Sequence, residues 1–264
     1  MKNFRIGVIG GTGGMGRWFV RLLEEEGYPV HVRGKGTGMD MEKMAQTCNV
    51  IAVAVPIGVT VPVIREVGPL LKEDSLFMDL TSLKKEPVEA MLRFSSAEVV
   101  GCHPLFGPGV LSLNGQNIVL CPARGTRWLP WLRDLYRSRG GRVVETTPEH
   151  HDRAMAVVQG LTHLTTVLMG EVFKESGLSR EDLDLVSTPV FRAKRAMMEK
   201  VASSPRLYGE MLTMNPYMAE VVSRCDDCWS RLKEVLGERD ADALIERIRD
   251  LGEIPGAGGP KPGE

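Results

Sequence analysis

The sequence lacks the charge excess that binding to nucleic acid or to an anionic membrane surface requires. Its 264 residues include 33 lysines and arginines and 34 aspartates and glutamates, which gives a formal net charge of -1. Polyanionic partners call for a basic excess or a concentrated basic face, and the chain shows neither. We therefore expect no nucleic acid and no membrane among its partners.

Long hydrophobic runs are also missing. No apolar run approaches the roughly 18 residues that are needed to span a bilayer. The first residues, Met1 to Arg5, lead directly into a strand pattern, without an apolar secretory segment or a small-residue cleavage site. We expect a cytoplasmic globular protein. With 43% hydrophobic and 25% charged residues, the chain is long enough for two domains of modest size.

Cysteine is scarce, and the number and spacing of the cysteines predict neither a disulfide framework nor a zinc site. The chain has 5 cysteines, an odd number, which argues against a set of disulfides. Cys225 and Cys228 form a Cys-x-x-Cys pair, but no second pair or histidine pair follows at zinc spacing. We expect reduced thiols and no metal site.

A glycine-rich turn follows the first predicted strand, Phe4 to Ile9. Its Gly-x-Gly-x-x-Gly spacing is that of dinucleotide-binding loops, in which glycines allow a tight turn, close approach of a pyrophosphate and close packing of the next helix. That helix, predicted from Met15 to about Glu26, would offer its N-terminal N–H groups to the phosphates. The alternative is a flexible loop without a ligand. The predicted cofactor-binding residues are Gly11, Thr12, Gly13, Gly14, Met15 and Gly16.

The second predicted strand, Pro29 to Val32, ends where NAD-binding proteins carry an acid that bonds the ribose 2′-hydroxyl. This chain has Arg33-Gly34-Lys35 there instead. Two cations suit the 2′-phosphate of NADP, so we predict that Arg33 and Lys35 bind NADP, with NAD as the alternative cofactor. A solvated basic loop without a ligand is the other interpretation.

Strands and helices alternate along the first part of the chain, with further buried strands predicted at 50–55, 76–80, 98–102, 117–121 and 143–144. This alternation predicts an α/β fold with a doubly wound, mostly parallel Rossmann-like sheet in a dinucleotide-binding domain, residues 1–146. No strand pattern follows the N-cap Thr147, so an all-α domain is predicted over residues 147–252. Small residues along its first helix permit close approach of a second copy, and we expect a homodimer. Residues 253–264, rich in glycine and proline, are predicted to form a disordered tail.

His103 is the candidate catalytic residue. It lies between the predicted strand 98–102 and the segment Pro104-Leu105-Phe106-Gly107-Pro108, where the prolines are expected to hold a loop rigid. A rigidly held histidine at a strand's carboxyl end can act as a general base near neutral pH. A structural histidine that bonds backbone is the alternative. Another strand delivers Asp79-Leu80-Thr81-Ser82-Leu83-Lys84 to the same edge, where ligands bind in open α/β sheets.

The segment 101–108, Gly-Cys-His-Pro-Leu-Phe-Gly-Pro, resembles the Gly-x-His-Pro-Met-Phe-Gly-Pro motif of the prephenate dehydrogenases, with leucine in place of the usual methionine. The glycine loop, the segment 79–84 and Gln159-Gly160-Leu161-Thr162-His163 support this resemblance, which covers essentially the whole chain except the tail. These enzymes oxidatively decarboxylate prephenate to 4-hydroxyphenylpyruvate in tyrosine biosynthesis. The resemblance implies the same activity, with prephenate as the substrate.

The resemblance also implies roles for individual residues. His103 would accept the proton of the ring 4-hydroxyl as a hydride leaves for the nicotinamide, and Ser82 would bond and orient His103. His163, Arg192 and Lys200 would bind the substrate in the cleft between the domains. Arg192 and Lys200, two helical turns apart, are expected to share a face. Lys200 stands where the family's pattern has an arginine that grips a substrate carboxylate, and lysine lacks the bidentate fork.

Three other functions stay open. Arogenate dehydrogenase differs only in the aminated side chain of its substrate. A different NADP-linked reductase would keep the glycine loop but has no use for the segment 101–108. A non-catalytic module that senses NADP(H) would not need His103.

Overall fold

The computed structural model describes residues 4–35 and 39–253. The chain divides into two compact units, Met1–Pro216 and Tyr217–Glu264. The boundary predicted at residue 146 lies inside the first unit and stays a prediction. The predicted disorder of the tail concerns residues that, apart from Glu253, lie outside the described ones.

Within the described residues, seven strands form one sheet: β1 (Ile6–Ile9), β2 (Val30–Arg33), β3 (Val50–Val53), β4 (Leu76–Asp79), β5 (Glu98–Pro104), β6 (Asn117–Arg124) and β7 (Arg142–Glu145). The strand order is β2-β1-β3-β4-β5-β6-β7. All neighbours are parallel except β5 and β6, which are antiparallel. The predicted doubly wound, mostly parallel sheet is confirmed.

Helices cover both faces of the sheet: α1 (Gly14–Glu25), α2 (Met41–Thr47), α3 (Ile57–Val67), α4 (Lys85–Phe94) and α5 (Leu129–Arg137). Successive side chains of a strand point to opposite faces, so β3 contributes Val50 and Ala52 to one hydrophobic core and Ile51 and Val53 to the other. Strands buried on both faces read as continuous apolar runs, which is why the sequence reveals them.

The strand order reverses between β1 and β3, because β2 lies on one side of β1 and all later strands lie on the other. In doubly wound sheets, ligands bind at the carboxyl ends of the strands that flank such a reversal. The turn from β1 to α1, which contains Gly10 to Gly13, lies at this place. The fold therefore puts the glycine loop where a cofactor is expected.

Strand β5 is longer than predicted. It extends to Pro104, and His103 pairs with Val119 of β6 while Pro104 pairs with Ile118. The prediction that His103 lies beyond the strand, in a loop held rigid by prolines, is wrong. Pairing with β6 holds the backbone of His103 instead.

From Thr147 onward the described residues contain helices and no strand. Thr147 is the N-cap, as predicted, and its side chain accepts a hydrogen bond from the backbone N–H of His150. Pro148 is the first residue of the helix. This helix runs from Pro148 to Glu175 and contains three parts: α6 (Pro148–Met155), a π-helical segment (Ala156–Leu161) and α7 (Thr162–Glu175). Wide turns of this kind occur frequently at functional sites.

Three shorter helices complete the first unit: α8 (Arg180–Leu185), α9 (Pro189–Ala202) and α10 (Pro205–Met214). Ser179 and Asp182 form a capping box at the start of α8. The second unit contains α11 (Met218–Glu238) and α12 (Ala241–Asp250). Arg239 adopts a left-handed conformation, φ 56°, and ends α11, and the Asp240 side chain caps α12.

Candidate active site

The turn from β1 to α1 has the geometry of a phosphate-binding loop. A Cβ atom on Gly16 would lie 2.1 Å from the Gly10 carbonyl oxygen, so only glycine lets α1 approach the turn this closely. Gly13 is the N-cap and adds no side-chain cap, and the first described turn of α1 contains no acidic residue. Thr12 and Gly14 are exposed. The free N–H groups and the positive helix end therefore fit a pyrophosphate.

Arg33 is the last residue of β2 and lies beside this loop. Its guanidinium is half-buried and donates a hydrogen bond to the Met39 carbonyl oxygen, while Lys35 is exposed. A Cβ atom on Gly34 would lie 2.1 Å from the Thr12 hydroxyl oxygen, so the basic turn touches the glycine loop. Two cations thus lie at the edge of the loop, at the position predicted to face the 2′-phosphate.

The residues that follow His103 contact the glycine loop. Pro108 lies against Gly14, where an added Cβ would be 3.0 Å from the proline Cγ. The rings of Phe106 and Trp18 of α1 meet edge to face, with centroids 4.9 Å apart. These two contacts fix the end of β5 next to the loop that would hold a dinucleotide.

His103 belongs to a buried chain of hydrogen bonds that the sequence analysis did not predict. Its Nδ1 lies 2.9 Å from Nε2 of His151, and Nδ1 of His151 lies 2.7 Å from Oδ1 of Asp152. The three residues are 4%, 2% and 1% exposed. The Asp152 carboxylate also accepts the backbone N–H groups of Lys84 and Lys85, at 2.8 and 2.9 Å, at the start of α4.

Burial, and after it the charges of His151 and Lys84, hold the pKa of His103 well below its ordinary value of 6.5. The imidazole is therefore neutral at pH 7. A general base must be unprotonated to accept a proton, so His103 is in the state that this role requires.

Ser82 does not hydrogen-bond to His103. The resemblance implies such a bond, but Nδ1 of His103 contacts His151, and none of the hydrogen bonds among residues 4–35 and 39–253 joins Ser82 to His103. Ser82 is half-buried in the turn after β4. In that turn Lys84 is fully buried and donates to the Asp79 carboxylate and, at 2.9 Å, to the Cys102 carbonyl oxygen. Ser82 stays a predicted site residue without the orienting contact.

His163 lies in a second polar group. Its ring meets that of Tyr208 edge to face, with centroids 4.6 Å apart. Nδ1 of His163 and Oε1 of Gln159, one helical turn earlier, are buried and have no hydrogen-bond partner among the described residues. Burial, and after it the charge of Lys200, lowers the pKa of His163. Buried polar groups are normally hydrogen-bonded, so these two atoms mark a place for the polar groups of a ligand.

Arg192 and Lys200 do not point in the same direction. They are eight residues apart on α9, which is about 2.2 turns of helix and leaves the side chains about 80° apart. Arg192 is exposed and donates to the Ser187 carbonyl oxygen at 2.8 Å. Among the described residues, the charge of Lys200 acts on His163, and that of Arg192 is not among the causes of the lowered pKa.

Helix α10 connects this second group with the carboxyl edge of the sheet. Its Glu210 accepts the backbone N–H of Gly58 at 3.0 Å, at the start of α3. Met211 packs against Leu83 in the turn after β4. Tyr208 belongs to the same helix, so the His163 group is held next to the edge that carries the glycine loop.

The sequence analysis missed His151, Asp152 and Gln159 as site residues. His150, His151 and Asp152 are consecutive polar residues near the start of a helix, a pattern typical of a solvated face. His150 is exposed and His151 is buried, and only the packing of α6 on α4 distinguishes them. Gln159 could have been identified from the sequence, because it lies one helical turn before the candidate His163.

Comparison with known proteins relates the chain to one family in two parts. Residues 32–145 match the family model for the prephenate dehydrogenase nucleotide-binding domain. Residues 147–250 match the family model for the prephenate dehydrogenase dimerization domain. The glycine loop precedes the first matched range.

Curated relatives belong to the same group. The chain is 30% identical over 268 residues to the probable arogenate/prephenate dehydrogenase of Methanocaldococcus jannaschii, which covers 94% of this chain and 60% of that protein. It is 31% identical over 250 residues to the T-protein of Haemophilus influenzae, covering 93% of this chain and 66% of that protein. The chain thus spans about three fifths to two thirds of the length of these relatives.

Solved structures share the fold. Prephenate dehydrogenase from A. aeolicus, in complex with hydroxyphenyl propionate and NAD+, has a TM-score of 0.79 at 18% identity and covers 96% of this chain and 97% of its own. Synechocystis arogenate dehydrogenase has a TM-score of 0.72 at 19% identity, with 94% and 98% covered. Because two domain models of one family match the chain in order and together span nearly all of residues 32–250, the chain belongs to the prephenate dehydrogenase family.

Proposed function

We propose that the chain catalyses the oxidative decarboxylation of prephenate to 4-hydroxyphenylpyruvate in tyrosine biosynthesis, with hydride transfer to a nicotinamide dinucleotide. The observation that carries this proposal is His103, a buried and neutral imidazole held at the glycine loop by the contacts of Phe106 and Pro108. A protein that only sensed NADP(H) would have no need of a base at this place.

His103 removes the proton from the 4-hydroxyl group of the substrate ring. Its Nδ1 is engaged with His151, so Nε2 is the nitrogen that takes the proton. A bound nicotinamide supplies the hydride acceptor for the hydrogen on the same ring carbon. Loss of CO2 leaves the aromatic ring as a phenolate, and His103 returns its proton to the phenolate oxygen.

Lys200, His163 and Gln159 bind the polar groups of the substrate. The substrate is a dianion, so a protein with a net charge near zero needs a local cation to bind it. Lys200 provides a single ammonium group whose charge acts on His163, and the buried atoms of His163 and Gln159 that have no partner among the described residues are available to the substrate side chain. Arg192, at an exposed position, is a further candidate cation.

Arg33 and Lys35 favour NADP over NAD. They replace the ribose-binding acid with two positive charges at the edge of the glycine loop. Arginine forms bidentate, charge-assisted hydrogen bonds with phosphate, so Arg33 contributes more than the exposed Lys35.

A second copy of the chain covers the apolar face of the helix Pro148–Glu175. The length and composition of this helix also fit a membrane span, and only 11% of its most apolar window is buried. The matched dimerization domain includes this helix, which supports a soluble, cytoplasmic homodimer over a membrane protein. The exposed apolar side chains on the helix are Val157, Val158, Val167, Leu168 and Val172.

Arogenate dehydrogenase is the second candidate function. Oε1 of Gln159 is a buried acceptor that has no partner in the part of the chain that the structure describes, and the ammonium group of arogenate could donate to it. The M. jannaschii relative is named for both substrates.

Four absorbance traces test the proposal: enzyme with prephenate or with arogenate, each in the presence of NAD or NADP. We expect the fastest nicotinamide reduction with prephenate and NADP. Reduction with arogenate alone would select the second candidate. Tight cofactor binding without reduction in any trace would contradict the proposed function and favour the sensing module.

A further inference from the structure

We infer that His151, held by Asp152, is a positioning residue that keeps His103 in the tautomer needed for proton abstraction. The inference rests on the proposed function, because it takes His103 as the base. The three side chains form one buried hydrogen-bonded chain that links β5 to α6.

Asp152 determines the tautomer of His151. Its carboxylate accepts two backbone N–H groups at the start of α4, which an ionised carboxylate does with both oxygens. Nδ1 of His151, 2.7 Å from Oδ1 of Asp152, must therefore carry the hydrogen of that bond. In neutral His151 the other nitrogen, Nε2, then has a lone pair and can only accept.

His151 in turn determines the tautomer of His103. Nδ1 of His103 lies 2.9 Å from the lone pair on Nε2 of His151, so Nδ1 must donate. The lone pair of neutral His103 is then on Nε2, the nitrogen that the proposed mechanism uses. The opposite tautomer would put a hydrogen on Nε2 and block the transfer. A carboxylate that fixes the tautomer of a catalytic histidine works by the same principle in the serine proteases.

The same contacts stabilise the charged state of His103 during the reaction. When the substrate O–H bond breaks, its proton forms a bond to Nε2 of His103, and the Nδ1–H group continues to donate to His151. Only the ring of His151 separates the resulting positive charge from the Asp152 carboxylate. Lys84 also lies near the pair, and it forms a buried ion pair with Asp79. Once CO2 has left, the proton returns to the phenolate oxygen, so the pair gains no net proton.

Two substitutions of His151 separate positioning from packing. The side-chain oxygen of His151→Gln can accept the hydrogen bond from Nδ1 of His103, whereas His151→Leu offers no acceptor. We expect His151→Leu to lower kcat by about 10-fold to 10²-fold, at the low end of what a general base contributes, with KM unchanged. His151→Gln should recover most of that loss. The exposed neighbour supplies the matched control, and His150→Gln should leave kcat unchanged.

The pH profile of kcat gives a readout that a merely structural role would not change. The charge of His151 contributes to the lowered pKa of His103, after the larger effect of burial. That repulsion arises only when both rings are protonated, and glutamine cannot be protonated, so in His151→Gln the acid limb of kcat should move to higher pH. If His151 only packed the core, the variants would lose melting temperature and keep the wild-type acid limb, and the inference would be wrong.

NMR of the histidine ring nitrogens tests the tautomers without any turnover. In wild-type protein above neutral pH, we expect a hydrogen on Nδ1 of both His103 and His151. A hydrogen on Nε2 of neutral His103, or a wild-type kcat for folded His151→Leu, would overturn the inference. The expected tautomers in a protein that reduces no cofactor would support the hydrogen-bonded order of Asp152, His151 and His103 and refute the proposed function, so the two failures are distinguishable.

Discussion

His103 has one ring nitrogen available to a substrate, because the other contacts His151. Asparagine is smaller but keeps a side-chain hydrogen-bonding group, and it cannot act as a base near neutral pH. We expect His103→Asn to lower kcat by about 10² to 10⁴, the usual contribution of a general base, while the affinities for substrate and cofactor barely change. Steady-state kinetics and direct cofactor titration measure both. A stable His103→Asn protein with near-normal kcat would remove the mechanism.

The pH dependence of kcat follows from the same residue. Protonated His103 cannot accept a proton, so kcat falls as the pH drops through its pKa. Burial and the nearby charges place that pKa below 6.5, and the acid limb of kcat should therefore lie below pH 6.5. The limb should be absent in His103→Asn. An acid limb that persists in the variant would assign it to another group.

The charge of Lys200 is expected to affect substrate binding and the pKa of His163. We expect Lys200→Ala to raise the substrate KM by about tenfold or more, the loss of one charged hydrogen bond, without changing cofactor affinity. The pKa of His163 should rise at the same time, because the charge of Lys200 lowers it. Lys194→Ala, an exposed lysine on the same helix, is the control. If KM stayed at the wild-type value, Lys200 would be a solvated surface charge.

Residue types predict chemistry well, but they do not predict partners. His103, His163 and Lys200 were identified from their places in sequence patterns. His151 was not, because its role depends on a contact between β5 and α6 over 48 residues of chain. Ser82 illustrates the reverse case. Its position in the segment 79–84 was clear, but Nδ1 of His103 bonds to His151 and not to Ser82.

At the scale of elements, we expect the carboxyl end of β2 to determine cofactor preference. Arg33 ends this strand beside the glycine loop, where its charge would face the 2′-phosphate. We expect Arg33→Asp to lower the ratio of kcat/KM for NADP over NAD by about tenfold to a hundredfold, the effect of one charge-assisted pair. Arg21→Asp, an exposed position on α1, should leave the ratio unchanged. An unchanged ratio in Arg33→Asp would show the basic turn to be solvated.

Glu210 of helix α10 bonds the start of α3 through its carboxylate. Burial raises the pKa of Glu210, but hydrogen bonds from Arg206 and from the Gly58 backbone together lower it by more. The pKa of Glu210 is therefore below its ordinary value. The carboxylate is thus an ionised cap on α3. We expect Glu210→Ala to cost about 1 kcal/mol of unfolding free energy, as lost helix caps do. Denaturant unfolding measures this, with the exposed Glu89→Ala as control; equal stability of the two variants would contradict the capping role.

The elements themselves were largely predictable, and the exceptions have physical causes. The central strands are buried on both faces and therefore appear as apolar runs. Helix α2 was missed although its signals are present, with Asp40 as N-cap and Met41, Met44 and Ala45 buried at helical spacing. The extension of β5 through His103 and Pro104 was unpredictable because proline in a sequence favours a loop, and only the pairing with β6 overrides that preference.

At the scale of the whole molecule, the exposed apolar face of the helix Pro148–Glu175 predicts the assembly. Val158 and Leu168 are each 58% exposed there. A charge placed in a buried interface is costly to desolvate, so Leu168→Asp should convert the dimer to monomer in sedimentation experiments. Leu111→Asp, at a loop residue that is 92% exposed, is the matched control and should remain dimeric. A wild-type monomer at all concentrations, or a Leu168→Asp dimer, would contradict the proposed interface.

The π-helical segment Ala156–Leu161 has a consequence for insertions and deletions. His163 follows His151 by 12 residues on the same helix, which is about 3.3 turns of α-helix and would leave the two side chains about a third of a turn apart. A π turn accommodates one extra residue, so the rotation between the histidines is reduced to about three full turns. Both histidines then project from the same side of the helix. Deleting one residue other than Gln159 from this segment would leave 11 residues of regular α-helix between the histidines, again about three full turns, so His163 should stay on the side that His151 occupies. Regular α-helical winding of all 12 residues would instead turn His163 about a third of a turn away from that side.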